Sequence, residues 1–300
     1  MTPKVKRDFL RVADLTADEL RQILDHAKAM KNQRSYGAHR RPLEGRSVAL
    51  IFEKPSTRTR VSFEVGAFEL GAHPVVLNTR DMQLGRGESI VDTARTLSRY
   101  VHAIVLRTAA HERIETLAAA ATVPVINALT DDHHPCQILA DLMTVRERKG
   151  ALEGLRYAWI GDANNVARSW VEAAGRLGLT LTVASPEGYG FLPAELPAGV
   201  QQVVDPREAA RGADVVITDV WASMGQEGDA AARRDAFAGY QVNTALLGEA
   251  NPNALLLHCL PAHRGEEVEA ALIDEPGAAV WDEAENRLHA QKALLEFLMR

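Results

Sequence analysis

Apolar residues are arranged along this chain in two alternating ways. Short unbroken runs such as Ser47-Val48-Ala49-Leu50-Ile51-Phe52 are followed by stretches in which apolar positions recur three and four residues apart. An unbroken run marks a strand buried on both faces, as in a parallel sheet, and the wider spacing marks a helix with one buried side. The pattern predicts strands at Ser47–Phe52, Pro74–Asn78, Ala103–Arg107 and Val123–Asn127, and a second series at Tyr157–Ile160, Thr180–Ala184, Val215–Asp219 and Ala254–His258. Helices are expected from Leu15 to Lys31, with Thr16 as N-cap and Glu19 three residues on. Others are expected from Pro135 to Lys149 and from Ala284 to Leu298, and Gly150-Ala151-Leu152-Glu153-Gly154 reads as a hinge. The expected fold is α/β, with two doubly wound domains, residues 1–149 and 150–283, each a central parallel sheet flanked by helices. Two such halves imply an active site in the cleft between them.

Composition narrows the function classes. The 300 residues are 46% hydrophobic and 25% charged, with a net charge of −6. That balance argues against nucleic acid or an anionic membrane as the main partner. No apolar stretch approaches the roughly 18–20 residues that span a bilayer, and the first residues, MTPKVKRDFLRVADLT, lack a signal-peptide core. A cytoplasmic location is expected. Cys136 and Cys259 are the two cysteines, which is no disulfide framework.

The polar clusters fall after the carboxyl ends of the strands, where parallel sheets carry their chemistry. After the first comes Ser56-Thr57-Arg58-Thr59-Arg60, opening a helical pattern. A hydroxyl N-cap, unpaired backbone N–H groups and interleaved guanidinium groups form a pocket for a multiply charged oxyanion. Arg107 ends the third strand. After the fourth comes Asp131-Asp132-His133-His134-Pro135-Cys136-Gln137, where consecutive aspartates and histidines diverge and no HExxH or paired CxxC supports zinc, so no metal is expected. With Pro135 opening a helix, His134 and Gln137 share a face and can grip opposite ends of a small planar amide.

Gly161-Asp162-Ala163-Asn164-Asn165 sits at a strand-to-helix turn but lacks the later glycines of a dinucleotide fingerprint, so no nicotinamide or flavin is expected and the cofactor expectation is none. Asn165 remains a polar ligand candidate. Asp219, ahead of Ser223-Met224-Gly225, suits a substrate ammonium or an N-cap. In His258-Cys259-Leu260-Pro261-Ala262-His263-Arg264, Cys259 reads either as an inert packed thiol or as one activated by the nearby histidine and arginine. A cysteine protease fits poorly, because an arginine-lined anion pocket has no role in peptide cleavage.

Together these strings resemble the carbamoyltransferases, in their ornithine-using branch. The similarity runs from Asp8-Phe9-Leu10 to Trp281-Asp282-Glu283-Ala284-Glu285-Asn286-Arg287-Leu288-His289-Ala290-Gln291. Ser56–Arg60 matches the carbamoyl-phosphate signature and His134–Gln137 its second element, while Asp219 with Ser223–Gly225 and His258–Pro261 match the ornithine branch. The resemblance implies transfer of a carbamoyl group from carbamoyl phosphate to the δ-amine of L-ornithine, giving L-citrulline. It implies a carbamoyl-phosphate site of Ser56, Thr57, Arg58, Thr59, Arg107, His134, Gln137, Cys259, Leu260 and Arg287. Asn165, Asp219, Ser223 and Met224 would surround ornithine, and Cys259, Arg107 and His134 would be catalytic. It further implies a homotrimer in which Gln83, within Asp81–Ser89, serves a neighbour's site, and a closing helix, 284–300, packed back on the first domain. Arg168 stands where relatives more often carry a smaller or uncharged side chain. Two rival readings keep the same scaffold: a carbamoyltransferase for another amine, such as acetylornithine or putrescine, and a non-catalytic sensor of carbamoyl phosphate or amino acids.

Overall fold

The computed structural model describes residues 6–37, 40–79, 82–83, 87–222 and 227–300. The chain divides into two compact units, one running to Met143 and completed by Asn286–Arg300, the other Thr144–Glu285. The first contains α1 (Ala17–Ser35), β1 (Ser47–Phe52), α2 (Thr57–Glu69), β2 (His73–Asn78), α3 (Ile90–Leu97), β3 (Ala103–Arg107), α4 (His111–Ala120) and β4 (Val125–Leu129). Next comes α5 (Pro135–Lys149), within which the division falls.

All four strands of the first unit are parallel, in the order β2-β1-β3-β4. Val48 to Phe52 are buried without interruption, as a strand covered on both faces requires. The chain leaves β1 for β2 on one side and returns to β3 on the other, so the loops after β1 and β3 flank a switch point. The register slips between Leu106 and Arg107, a bulge that re-aims the last side chain of β3. Ahead of α1, Phe9 is joined to β4 by its N–H to the Val125 carbonyl (2.9 Å) and its carbonyl to the Asn127 N–H (2.8 Å). Thr16 caps α1 with the reciprocal Glu19 bond expected of its sequence.

The second unit contains β5 (Arg156–Ile160), α6 (Asn165–Leu177), β6 (Thr180–Ala184), β7 (Val200–Val203), α7 (Pro206–Ala210), β8 (Val215–Thr218), α8 (Ala230–Ala236), α9 (Thr244–Leu247) and β9 (Leu255–His258). Its sheet is also parallel, in the order β7-β6-β5-β8-β9, which places a switch point between β5 and β8. One side of the core is aromatic: Phe237 lies 5.8 Å from Trp221, 5.8 Å from Tyr240 and 5.0 Å from Tyr189.

The final helix, α10 (Val280–Met299), supplies its residues from Asn286 onward to the first unit. There Lys31 donates to Asn286 Oδ1 (2.8 Å), Lys292 pairs with Glu69 (2.6 Å), and His26 meets Glu296 (2.6 Å). Gly66 lets α2 and α10 approach, because a Cβ there would sit 3.2 Å from Lys292 Cγ and 3.5 Å from Leu288 Cδ1.

Several boundaries differ from the sequence reading. β4 runs two residues later than expected, and β8 stops at Thr218, leaving Asp219 in the loop. β7 (VQQV) was not anticipated. It is an edge strand whose Gln201 and Gln202 are exposed, so it lacks the apolar run that marks the others. α10 begins at Val280, four residues before the expected start. No helix among the described residues is long and apolar enough to cross a membrane.

Candidate active site

Each unit gathers its own group of functional side chains. In the first, α2 starts where the sequence predicted, with Ser56 as N-cap accepting from the Thr59 N–H (3.3 Å). First-turn N–H groups have no intrahelical acceptor, so this helix end presents donors and positive potential without any acidic residue in its first turn. Arg58 is exposed, whereas Arg60 lies along the helix flank toward Glu64 (3.4 Å). A cavity of about 590 Å³ opens beside this turn, lined by Phe52, Glu53, Lys54, Pro55, Ser56, Thr57, Arg60, Val61, Asn78 and Thr79.

The loops after β1 and β3 are tied together. The Glu53 N–H donates to the Arg107 carbonyl (2.9 Å), and the Glu53 carboxylate accepts from Arg113 Nη2 (2.6 Å) and from the Thr108 hydroxyl. Arg107 itself is buried. After β4, Asp131 pairs with Lys54 (2.9 Å) and the His133 ring packs on His111 (4.7 Å), while His134 belongs to the group around Arg287. Burial, followed by the charges of Arg287, Arg107 and Arg58, holds His134 well below the ordinary imidazole range. It is neutral at physiological pH. Cys136, in the same element, donates to the Asn127 carbonyl (3.3 Å), and burial pushes its thiol up to about 12. It is inert.

Arg287, on α10, joins these parts. Its Nη1 donates to Gln137 Oε1 (2.6 Å) and its Nη2 to Thr59 Oγ1 (3.3 Å). With its carboxamide oxygen facing the guanidinium, Gln291 accepts from Arg287 Nε (3.2 Å) and Nη2 (2.9 Å) and donates to Ser62 Oγ (2.6 Å). Gln137 Nε2 in turn donates to Asp141 Oδ1 (2.8 Å). Thr59, His134, Gln137 and Arg287 thus form one buried polar group, and Asp141 and Gln291 are members that the sequence reading missed.

In the second unit, Asp219 is the centre. Its Oδ2 accepts from Asn164 Nδ2 (2.8 Å) and its Oδ1 from the Cys259 thiol (3.1 Å). Asn164 is also the N-cap of α6, accepting from the Val166 and Ala167 N–H groups, so one side chain fixes the helix start and the carboxylate. Asn165 follows as the first residue of that helix. Asp162 meets Arg233 (2.8 Å); burial raises its carboxyl against the pull of Arg233, and the charge of Asp219 adds to the rise. Arg168 is drawn aside to Glu195 (2.6 Å) and lies over the Phe191 ring.

Asp219, His258 and Cys259 offer ligand atoms within 4.8 Å of one another. Both His258 nitrogens are already engaged: Nδ1 accepts from the Leu260 N–H (3.0 Å) and Nε2 faces buried Glu267 (3.0 Å). These bonds support Leu260 in a left-handed conformation (φ 57°), which an ordinary side chain rarely adopts. Of the remaining predicted residues, Gln83 is exposed, its carbonyl accepting from the Glu88 N–H (3.1 Å). Ser223 and Met224 lie outside the described residues.

A family model for the aspartate/ornithine carbamoyltransferase carbamoyl-P binding domain matches residues 7–147, and the model for the Asp/Orn binding domain of the same enzymes matches residues 153–298. The chain belongs to the aspartate/ornithine carbamoyltransferase family. An ornithine carbamoyltransferase from Acidothermus cellulolyticus is 59% identical, covering 98% of this chain and 96% of the relative. The solved ornithine carbamoyltransferase from Pyrococcus furiosus is 50% identical with a TM-score of 0.93, covering 98% of this chain and 97% of its own. A structure described as an anabolic ornithine carbamoyltransferase from Campylobacter jejuni is 36% identical with a TM-score of 0.91, covering 97% and 98%. In carbamoyltransferase terms, the α2 turn lies in the carbamoyl-P domain and Asp219 in the Asp/Orn domain.

Proposed function

We propose that this carbamoyltransferase moves the carbamoyl group of carbamoyl phosphate to the δ-amine of L-ornithine, releasing L-citrulline and phosphate. The observation that carries the choice of acceptor is the Asp219 carboxylate held between Asn164 and Cys259. It suits an amino acid with an α-ammonium group and repels an acceptor with two carboxylates.

The α2 N–H groups of Ser56 to Thr59, with Arg58 and Arg107, hold the phosphate and stabilise it as it leaves. Neutral His134 donates to the carbonyl oxygen together with Thr59 and Arg107, where negative charge grows in the tetrahedral intermediate; fixed donors at that position are worth about 3 kcal/mol each. Gln137 and the Leu260 carbonyl accept from the carbamoyl nitrogen, and Arg287 reaches the same group. Asp219 takes the α-ammonium, with Asn165, Ser223 and Met224 around the amino-acid head. A free amine titrates near about 10.4 and must lose a proton before attack. Cys259 contacts it there, as thiolate or as orienting group, and the departing phosphate is an acceptor for the proton.

In this reading residues 1–149 with the closing helix bind carbamoyl phosphate and 150–283 bind ornithine. The working assembly is a homotrimer in which Gln83 serves a neighbouring site, an arrangement supported by the family resemblance of its loop. Cys136 and Cys259 as unbridged thiols suit a reducing compartment, the cytoplasm, and the anabolic Campylobacter relative supports a place in arginine biosynthesis. The test is a steady-state panel of ornithine, N-acetylornithine, putrescine and aspartate with carbamoyl phosphate. Ornithine is expected to exceed the others at least about 100-fold in kcat/KM; preference for any other acceptor overturns the assignment.

A further inference from the structure

A buried carboxamide presents a problem of polarity. Its two ends are nearly the same size, so shape alone does not decide which faces a ligand. At Gln137 the neighbours decide. Asp141, one helical turn further along α5, is an acceptor and takes the Nε2 proton at 2.8 Å, while Arg287, a donor, engages Oε1 at 2.6 Å. Reversing the amide would set oxygen against oxygen and N–H against N–H. All of this happens away from water: Gln137, Asp141 and Arg287 are 1%, 2% and 3% exposed.

We propose that Asp141 is a positioning residue that fixes the Gln137 oxygen toward the carbamoyl group, and so gives the site its preference for a carbamoyl over an acetyl or bare phosphate. The inference rests on the carbamoyl-phosphate reading of this group. A carbamoyl nitrogen is a donor, and a carbonyl oxygen has a second lone pair to accept it beside Arg287. A reversed Gln137 would present N–H to N–H and reject it. Acetyl phosphate and inorganic phosphate have no such nitrogen and are indifferent to the polarity of Gln137.

The experiment is calorimetric binding of carbamoyl phosphate, acetyl phosphate and inorganic phosphate to the full-length wild-type chain and to Asp141→Asn. This near-isosteric change can accept or donate, so it removes the obligate acceptor and leaves Arg287 alone to set the polarity of the amide. Carbamoyl-phosphate affinity should fall about tenfold, while the affinities of the other two anions change less than about twofold. In a Gln137→Met background the added Asp141→Asn should cost carbamoyl phosphate nothing further, because the positioned group is gone. Should Asp141→Asn lack a cooperative unfolding transition, Asp141→Ser removes the obligate acceptor in the same way and takes its place. Equal weakening of all three anions, unchanged carbamoyl-phosphate affinity, or additivity in the Gln137→Met background overturns the proposal. Wild-type protein that fails to prefer carbamoyl phosphate to inorganic phosphate sinks the functional reading instead.

Discussion

The Cys259 thiol donates to Asp219 Oδ1 at 3.1 Å, joining the two residues that the ornithine reading needs most. Asn164 holds the other oxygen of the same carboxylate, so Asp219 is fixed before any substrate arrives. Asp219→Asn should raise KM for ornithine about 10- to 100-fold, the worth of a hydrogen bond to a charged group. KM for carbamoyl phosphate should stay within about twofold. Equal effects on both constants would show that Asp219 acts on the fold rather than on the acceptor.

Cys259→Ala tests the other half of that contact. Turnover should fall and the pH–rate profile should shift, since the thiol is assigned to the amine that must lose a proton. An unchanged profile removes Cys259 from proton handling.

Arg58 is exposed yet contributes to the field at His134. Arg58→Gln should therefore weaken carbamoyl-phosphate binding about 10- to 100-fold. Unfolding stability should change by less than about 0.5 kcal/mol, as for other surface positions. Calorimetry paired with thermal unfolding reads both, and wild-type affinity contradicts the phosphate pocket.

Acid should destabilise the fold through its buried imidazoles. His134 is held well below its ordinary range by burial and three arginines, and His111 and His26 are lowered chiefly by burial. A lowered folded-state value means the unfolded chain binds the proton first. The stabilisation is complete above the unfolded pKa, about 6.5, and is lost as pH falls from there through the folded values. Urea midpoints should be level from pH 7 to 8 and decline below about 6.5, less steeply in His134→Asn. Equal slopes in the two proteins would mean that His134 takes up its proton without resistance.

Buried Lys292 on α10 pairs with half-buried Glu69 on α2. Lys292→Met leaves half-buried Glu69 with Arg34 alone and should cost about 1–2 kcal/mol, below the cost of stranding a fully buried charge. Because Arg287 is carried on the same helix, KM for carbamoyl phosphate should rise as well. Denaturant titration and steady-state kinetics on one preparation check both effects.

Local chemistry was legible in the sequence and distant chemistry was not. Ser56 to Arg60 could be read because cap, arginines and the preceding apolar run are contiguous. The strands were legible wherever both faces are covered, and β7 escaped because Gln201 and Gln202 are polar and exposed. Asp141 looks like any helical acid until Gln137 is seen to need an acceptor. Asn164 caps α6, and nothing local shows that its amide also reaches Asp219, 55 positions away. Arg287 meets Gln137 and Thr59 across separations of 150 and 228 positions. Only the family resemblance could place it.

That last separation bears on synthesis. A nascent chain displays the α2 turn early, but the guanidinium that bridges Thr59 and Gln137 emerges from the ribosome only after the whole of Thr144–Glu285 has been translated. The first half therefore cannot mature as an independent receptor while elongation continues, and its competence for the donor substrate is deferred until α10 has been made.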